Sequence, residues 1–209
     1  PEAKDNDFTW RDFQNRNNNE LVATLGNFVN RAIVLTHKYF DGVVPARVVL
    51  NDIDTATLEE ICTAKEQLTE CLETFHFREA ANKAMEIARI GNRYLQETEP
   101  WKVAKTDMDR TATILNTALQ LCANLAIAFE PFLPFTAERL CKMLNIDQPV
   151  WADLGRFDLL GEGHEMGDAY LLFEKIEDSA IEAQMKRLEE IDKQNTVDAW
   201  KHQPQAPDV

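Results

Sequence analysis

Glycine is scarce in this chain, with seven residues in 209, several of them gathered in 155–167. There is no glycine-rich phosphate loop, no GxSxG nucleophile turn and no zinc-ligand spacing, so the sequence marks no catalytic centre. The four cysteines, Cys62, Cys71, Cys122 and Cys141, form no CxxC pair. Each lies within an apolar helical pattern, which predicts reduced core cysteines in a cytosolic protein. The four histidines are scattered, and no His/Cys/Asp spacing resembles a metal site. No apolar run approaches the roughly 20 residues that cross a bilayer, and no basic segment leads into an apolar one at the N-terminus. A soluble, cytoplasmic protein with no membrane partner is expected. The chain also begins without methionine, which suggests a piece excised from a longer protein.

Basic charge is also in short supply. The net charge is −14, which excludes indiscriminate attraction to nucleic acid. The acidity is uneven, however. Residues 1–50 carry as many basic as acidic side chains, and 77–110 carry one more basic than acidic, so the excess lies in 51–76 and 111–209. An anionic partner would favour the two balanced segments. The paired carboxylates Glu59-Glu60 and Glu189-Glu190 read as solvated faces.

What remains is helix. Residues 9–40 form one long pattern, with Thr9 and Asp12 as an approximate capping box and Leu21, Leu25, Phe28, Ala32, Leu35 and Tyr39 at helical spacing. Asp41-Gly42 ends it. Further helices are predicted over Thr55–Thr74, Phe77–Thr98, 108–130, Pro134–Leu144 and, highly charged, 176–193. Gly91 inside the third costs about 1 kcal/mol against alanine and would permit close approach of a neighbouring helix. The middle of 108–130 is apolar almost all round, the mark of a helix buried on several sides. Residues 145–173 read as an ordered loop packed back through Trp151, Phe157 and Tyr170. The expected architecture is all-α, a bundle of about five main helices with a C-terminal extension. Its domain would span 1–175, with 1–8 as a connector, followed by a helix and tail over 176–209.

Two features could carry binding. Asn27 and Arg31 are four apart and share a helix face, with Lys38 two turns further along. Amide and guanidinium edges can read a base through paired hydrogen bonds, although such pairs are also ordinary solvated surface. Pro100 interrupts the helical pattern after Thr98 and places Trp101 at a rigid corner, flanked by Lys102 and Lys105. Aromatic and basic side chains together suit single-stranded nucleic acid, where stacking supplies roughly 1–3 kcal/mol per base. Core packing is the alternative for this tryptophan.

The blocks Asn27-Phe-Val-Asn-Arg31, Tyr39-Phe-Asp-Gly42, Asn92-Arg-Tyr-Leu95 and Glu99-Pro-Trp-Lys102, with residues 129–140 and Leu172-Phe-Glu-Lys-Ile176, together resemble the methionyl-tRNA synthetase family. The likeness covers roughly residues 8–190 and falls on the helical anticodon-binding domain. The HIGH and KMSKS motifs of the family's catalytic domain are absent. The resemblance implies recognition of the CAU anticodon of methionine tRNA on behalf of an ATP-dependent methionine–tRNA ligase. It assigns base contacts to Asn27 and Arg31, chiefly to the first base, a cytosine, and a stacking surface to Trp101 with Pro100. Lys38, Arg93, Lys102 and Lys105 are expected as phosphate or supporting contacts. No cofactor is expected in this chain. ATP with Mg2+, and structural zinc as an option, would belong to the catalytic part, which would itself be a partner of this one. Some members carry a further C-terminal RNA-binding domain, toward which 203–209 would suit a linker. Two other readings stay open: the equivalent domain of a leucyl, valyl or cysteinyl synthetase, and a helical protein–protein interaction module.

Overall fold

The computed structural model describes residues 7–201, with side chains to 194. Residues 1–6 of the expected connector and 202–209 of the expected tail lie outside the described residues. Among those described there is no β-strand, only an isolated bridge between Val43 and Glu165.

The first helix is one continuous rod in three parts. These are α1 (Trp10–Arg16), a π-helical stretch (Asn17–Gly26) and α2 (Asn27–Phe40). Thr9 Oγ1 accepts from Asp12 N–H at 3.1 Å and caps its start. The π-helical stretch departs from the uniform α-helix that the sequence predicts. The spacing of Leu21, Leu25 and Phe28 does not distinguish the two windings over so short a run. Within this stretch the side chains of Asn17 and Asn18 hydrogen-bond the backbone of Glu174 and Ile176, so it doubles as the seat of the C-terminal segment. At the far end Asp41 takes a left-handed conformation, φ 52°.

Helices α3 (Asp52–Glu73) and α4 (Phe77–Thr98) form an antiparallel hairpin. α3 starts three residues earlier than the apolar pattern predicts, because Asn51 and Asp54 form a reciprocal capping box. After the single turn α5 (Pro100–Val103) comes α6 (Met108–Phe129), buried at every position from Thr111 to Phe129. α6 has the length and apolar content of a membrane span, but it is the core helix of the bundle. Its polar residues explain how the irregular region is held. Asn116 donates to Pro45 O, Gln120 binds the backbone of Leu159 and Leu160, and Asn124 binds that of Gly155 and Arg156. Spaced four apart, these amides make a ladder along one side of α6. The loop thus packs back as expected, with Trp151 and Phe157 against the core. Tyr170 instead stays at the surface, its hydroxyl donating to Arg139 O at 2.7 Å.

α7 (Pro134–Leu144) and α8 (Asp178–Lys201) complete the fold. α8 begins against α1, where Arg11 and Gln14 bind Asp178 and where Ile181 is buried. None of the four cysteines is in a disulfide. Cys71, Cys122 and Cys141 are core residues, but Cys62 is exposed, a correction to the expectation. It follows Ile61 on α3, and the one-residue offset turns it from the core face to solvent. Burial pushes the Cys141 thiol up to about 11.

Asp54, Tyr94 and Arg110 tie α3, α4 and α6 together. The Tyr94 hydroxyl donates to Asp54 at 2.6 Å, and Arg110 donates to both carboxylate oxygens at 2.5 and 2.9 Å. Asp54 is fully buried. Burial opposes its charge, yet the bonds from Arg110, Tyr94 and the Asn51 backbone outweigh it and hold the carboxyl below the usual range. Burial, reinforced by the Asp54 carboxylate, pushes the Tyr94 phenol far up, so it stays protonated.

Candidate nucleic-acid interface

The expected site residues sit where α2, α4 and α5 meet. α2 runs alongside α4 because Gly91 lets the two approach. A β-carbon built on Gly91 would fall 2.5 Å from Phe28 Cζ, and Phe28 is completely buried. Asn27 is the residue before Phe28, and its amide Nδ2 donates to Asn92 Oδ1 of α4 at 2.9 Å. One turn on, Arg31 reaches across to the corner after α4.

That corner is built as the sequence suggests. Glu99 takes the left-handed conformation (φ 43°) that ends α4, and Pro100 occupies the first position of α5. Pro100 is buried, so it anchors the turn and offers no surface of its own. Trp101 is half-buried, and the Arg31 guanidinium carbon lies 4.8 Å from its ring centroid, within cation–π range. Asn27, Arg31 and Trp101 are therefore neighbours on one accessible face, although Trp101 is 70 residues from Arg31 in the chain.

Among the described residues, Arg11, Arg16, Arg89, Arg93, Arg110 and Arg156 are ion-paired with carboxylates. Arg31 has no carboxylate partner among the described residues. Burial alone lowers its pKa, but a guanidinium remains charged at neutral pH. A half-buried cation whose N–H donors point at no acid is a place for a ligand's acceptor atoms. Of the expected supporting residues, Arg93 is engaged by Glu60 and Lys102 by Glu99 at 2.7 Å. Lys105 is exposed, and the exposed Lys38 ammonium sits 5.0 Å from the Tyr39 ring centroid. An open groove continues from Asn27 along Gly26 and Asn30 to Phe173 and Lys175.

Sequence reasoning did not single out Asn92 as a site residue. The available signal was a poor helix former in the interior of a long helix. The structure shows its use, because the side chain bridges α4 to the π-helical stretch as well as to Asn27.

Comparison with known proteins decides the family. The family described as the anticodon binding domain of methionyl tRNA ligase matches residues 44–193. The chain belongs to this family. This match is preceded by one of residues 1–33 to class I tRNA synthetases (M), which covers most of the first helix with Asn27 and Arg31, while Trp101 falls in the anticodon-domain match. The family match selects the methionyl branch over the leucyl, valyl and cysteinyl alternatives. Among relatives, the methionine–tRNA ligase of Porphyromonas gingivalis is 60% identical over all of this chain, which covers 31% of that protein. That of Phocaeicola vulgatus is 61% identical over 99% of the chain and 30% of its own length. That of Flavobacterium psychrophilum is 47% identical over 98% of the chain, again 30% of its length. The chain thus spans under a third of the relatives it matches. The apo methionyl-tRNA synthetase of Mycobacterium tuberculosis superposes with a TM-score of 0.75 over 84% of this chain and 36% of its own. At 19% identity, that likeness shows the all-α fold alone.

Proposed function

We propose that this anticodon-binding domain reads the CAU anticodon of methionine tRNA for a methionine–tRNA ligase that acts in the cytoplasm. The observation that carries the reading is the unpaired Arg31 guanidinium stacked at 4.8 Å on Trp101, with Asn27 one turn away. An unpaired loop base can stack on an aromatic ring and be read along its Watson–Crick edge. Cytosine offers acceptors at O2 and N3 for Arg31, and a donor at N4 for Asn27. Lys38 and Lys105, with no carboxylate partner among the described residues, suit neighbouring phosphates, and binding should then weaken with salt. Arg93 and Lys102 hold the local structure through their ion pairs, and Pro100 positions Trp101. The domain would extend over 1–175 with its connector at 1–8, and 176–209 would be a helix, beginning against α1, and a tail. ATP, Mg2+ and the joining of methionine to tRNA fall, in this reading, to the part of the ligase outside this chain.

The test is Trp101→Ala in the full-length ligase. Aminoacylation efficiency should fall by roughly ten- to a hundredfold, the equivalent of one lost base stack. Methionine-dependent ATP–pyrophosphate exchange should stay close to the parent value. Equal loss of both would make Trp101 a folding residue and remove it from the interface.

A further inference from the structure

Asn92 has a defined orientation. Its Nδ2 donates to Thr24 O at 2.7 Å and to Ala88 O at 3.2 Å. Two carbonyl oxygens thus flank one end of the side-chain amide, and that end has to be the NH2 group. Turned over, the amide would set its own oxygen against both carbonyls. With the NH2 group spent, Asn92 Oδ1 faces Asn27 and accepts one of its amide hydrogens at 2.9 Å. The orientation of Asn27 follows. Its nitrogen is turned inward toward α4, and its Oδ1, with no hydrogen-bond partner among the described residues, is the acceptor left for a ligand.

We infer that Asn92 is a specificity-determining positioning residue. By locking the Asn27 amide it makes the site select a base with an exocyclic amino group over one with a keto oxygen at the same place. The inference rests on the reading of Asn27 as a base contact. Among pyrimidines the selected base is cytosine, whose N4 hydrogens meet Asn27 Oδ1 while Arg31 takes the acceptors. Uracil would set O4 against that oxygen, an unpaired contact between two acceptors. A freely turning Asn27 would rotate and donate to O4, and the discrimination would vanish. A helical chain of bonds therefore carries specificity from backbone to base: Thr24 and Ala88 carbonyls fix Asn92, Asn92 fixes Asn27, and Asn27 selects the base.

The experiment compares aminoacylation kcat/KM of the full-length ligase on methionine tRNA transcripts bearing CAU or UAU. The ratio of the two is read within one preparation, so the fraction of folded enzyme cancels. Asn92→Ala should reduce the preference for C over U by about tenfold or more, the scale of one hydrogen bond. Asn92→Asp loses both N–H bonds and sets a carboxylate oxygen against the Thr24 and Ala88 carbonyls, so it too should lose most of the preference. An unchanged ratio in either variant overturns the positioning role. Asn27→Ala separates the two layers. If it leaves the ratio intact, the base-contact reading falls and takes this inference with it. If it collapses the ratio while Asn92→Ala does not, only the role of Asn92 is lost.

Discussion

Replacing Gly91 by alanine sets two effects of known sign against each other. On helix propensity alone the change should stabilise α4 by about 1 kcal/mol. The new methyl group, however, would lie 2.5, 2.6 and 2.7 Å from three carbons of the Phe28 ring. That ring is fully buried, and its neighbours in the core leave it nowhere to swing. Overpacking a close-packed site costs typically 1–3 kcal/mol, occasionally more, and three simultaneous contacts on a rigid ring put this case toward the upper end. The net expectation is destabilisation of roughly 1–2 kcal/mol. For a chain of this size that lowers the melting temperature by about 2–8 °C, measurable by circular dichroism on heating and in urea. Because Asn27 directly precedes Phe28, the displaced helix should also weaken binding of an anticodon stem-loop. Phe28→Leu removes the ring edge, so the double variant should be less destabilised than the two single changes summed. A Gly91→Ala protein as stable as the parent, or more so, would refute the close α2–α4 contact from which the site geometry is argued.

Asp54→Ala should cost about 3–5 kcal/mol, since it leaves the Arg110 guanidinium without its buried carboxylate; equilibrium urea unfolding measures it. The pH dependence has a definite sign. The folded Asp54 carboxyl titrates below its ordinary value of 3.8, so its stabilisation is complete above that value. It is lost as the pH falls through the lower folded-state range, which acid unfolding followed by far-UV circular dichroism should show in the parent and not in Asp54→Asn. Arg31→Ala and Arg93→Ala should differ sharply in titrations with a CAU stem-loop. The first should lose roughly 1–3 kcal/mol of binding as a charged contact disappears. The second should change little, because it removes an exposed ion pair with Glu60, worth about 0–1 kcal/mol of stability.

Much of the architecture was legible in order and type. Pro134, Asp41-Gly42 and the Thr98–Pro100 break mark helix ends by backbone sterics, which act locally. The all-round apolarity of 115–129 announced a central helix for the same reason that α6 is buried: no face of it suits water. The π-helical winding of Asn17–Gly26 was not legible, since apolar spacing over ten residues accommodates either helix. Nor was the early start of α3, where a capping box rather than hydrophobic period sets the boundary. The outward turn of Cys62 depends on a one-residue phase that an apolar pattern leaves loose. At the site, the residue types of Asn27, Arg31 and Trp101 stood out, but their proximity did not. Composition likewise gave no means of separating Arg31 from Arg93.

By itself, then, the sequence determined the order of the helices, most of their ends, the scarcity of basic charge outside two segments and the motif blocks of a methionyl-tRNA ligase anticodon-binding domain. These are written in local sterics and short-range periodicity, which each segment carries alone. Only the tertiary structure decided which cations are free and which are neutralised, because pairing is a matter of distance between helices. Only it brought Arg31 onto Trp101 and turned the Asn27 carbonyl outward. Both depend on how closely α2 and α4 pack, and that distance is set by the missing side chain of Gly91 and the ring that fills its place.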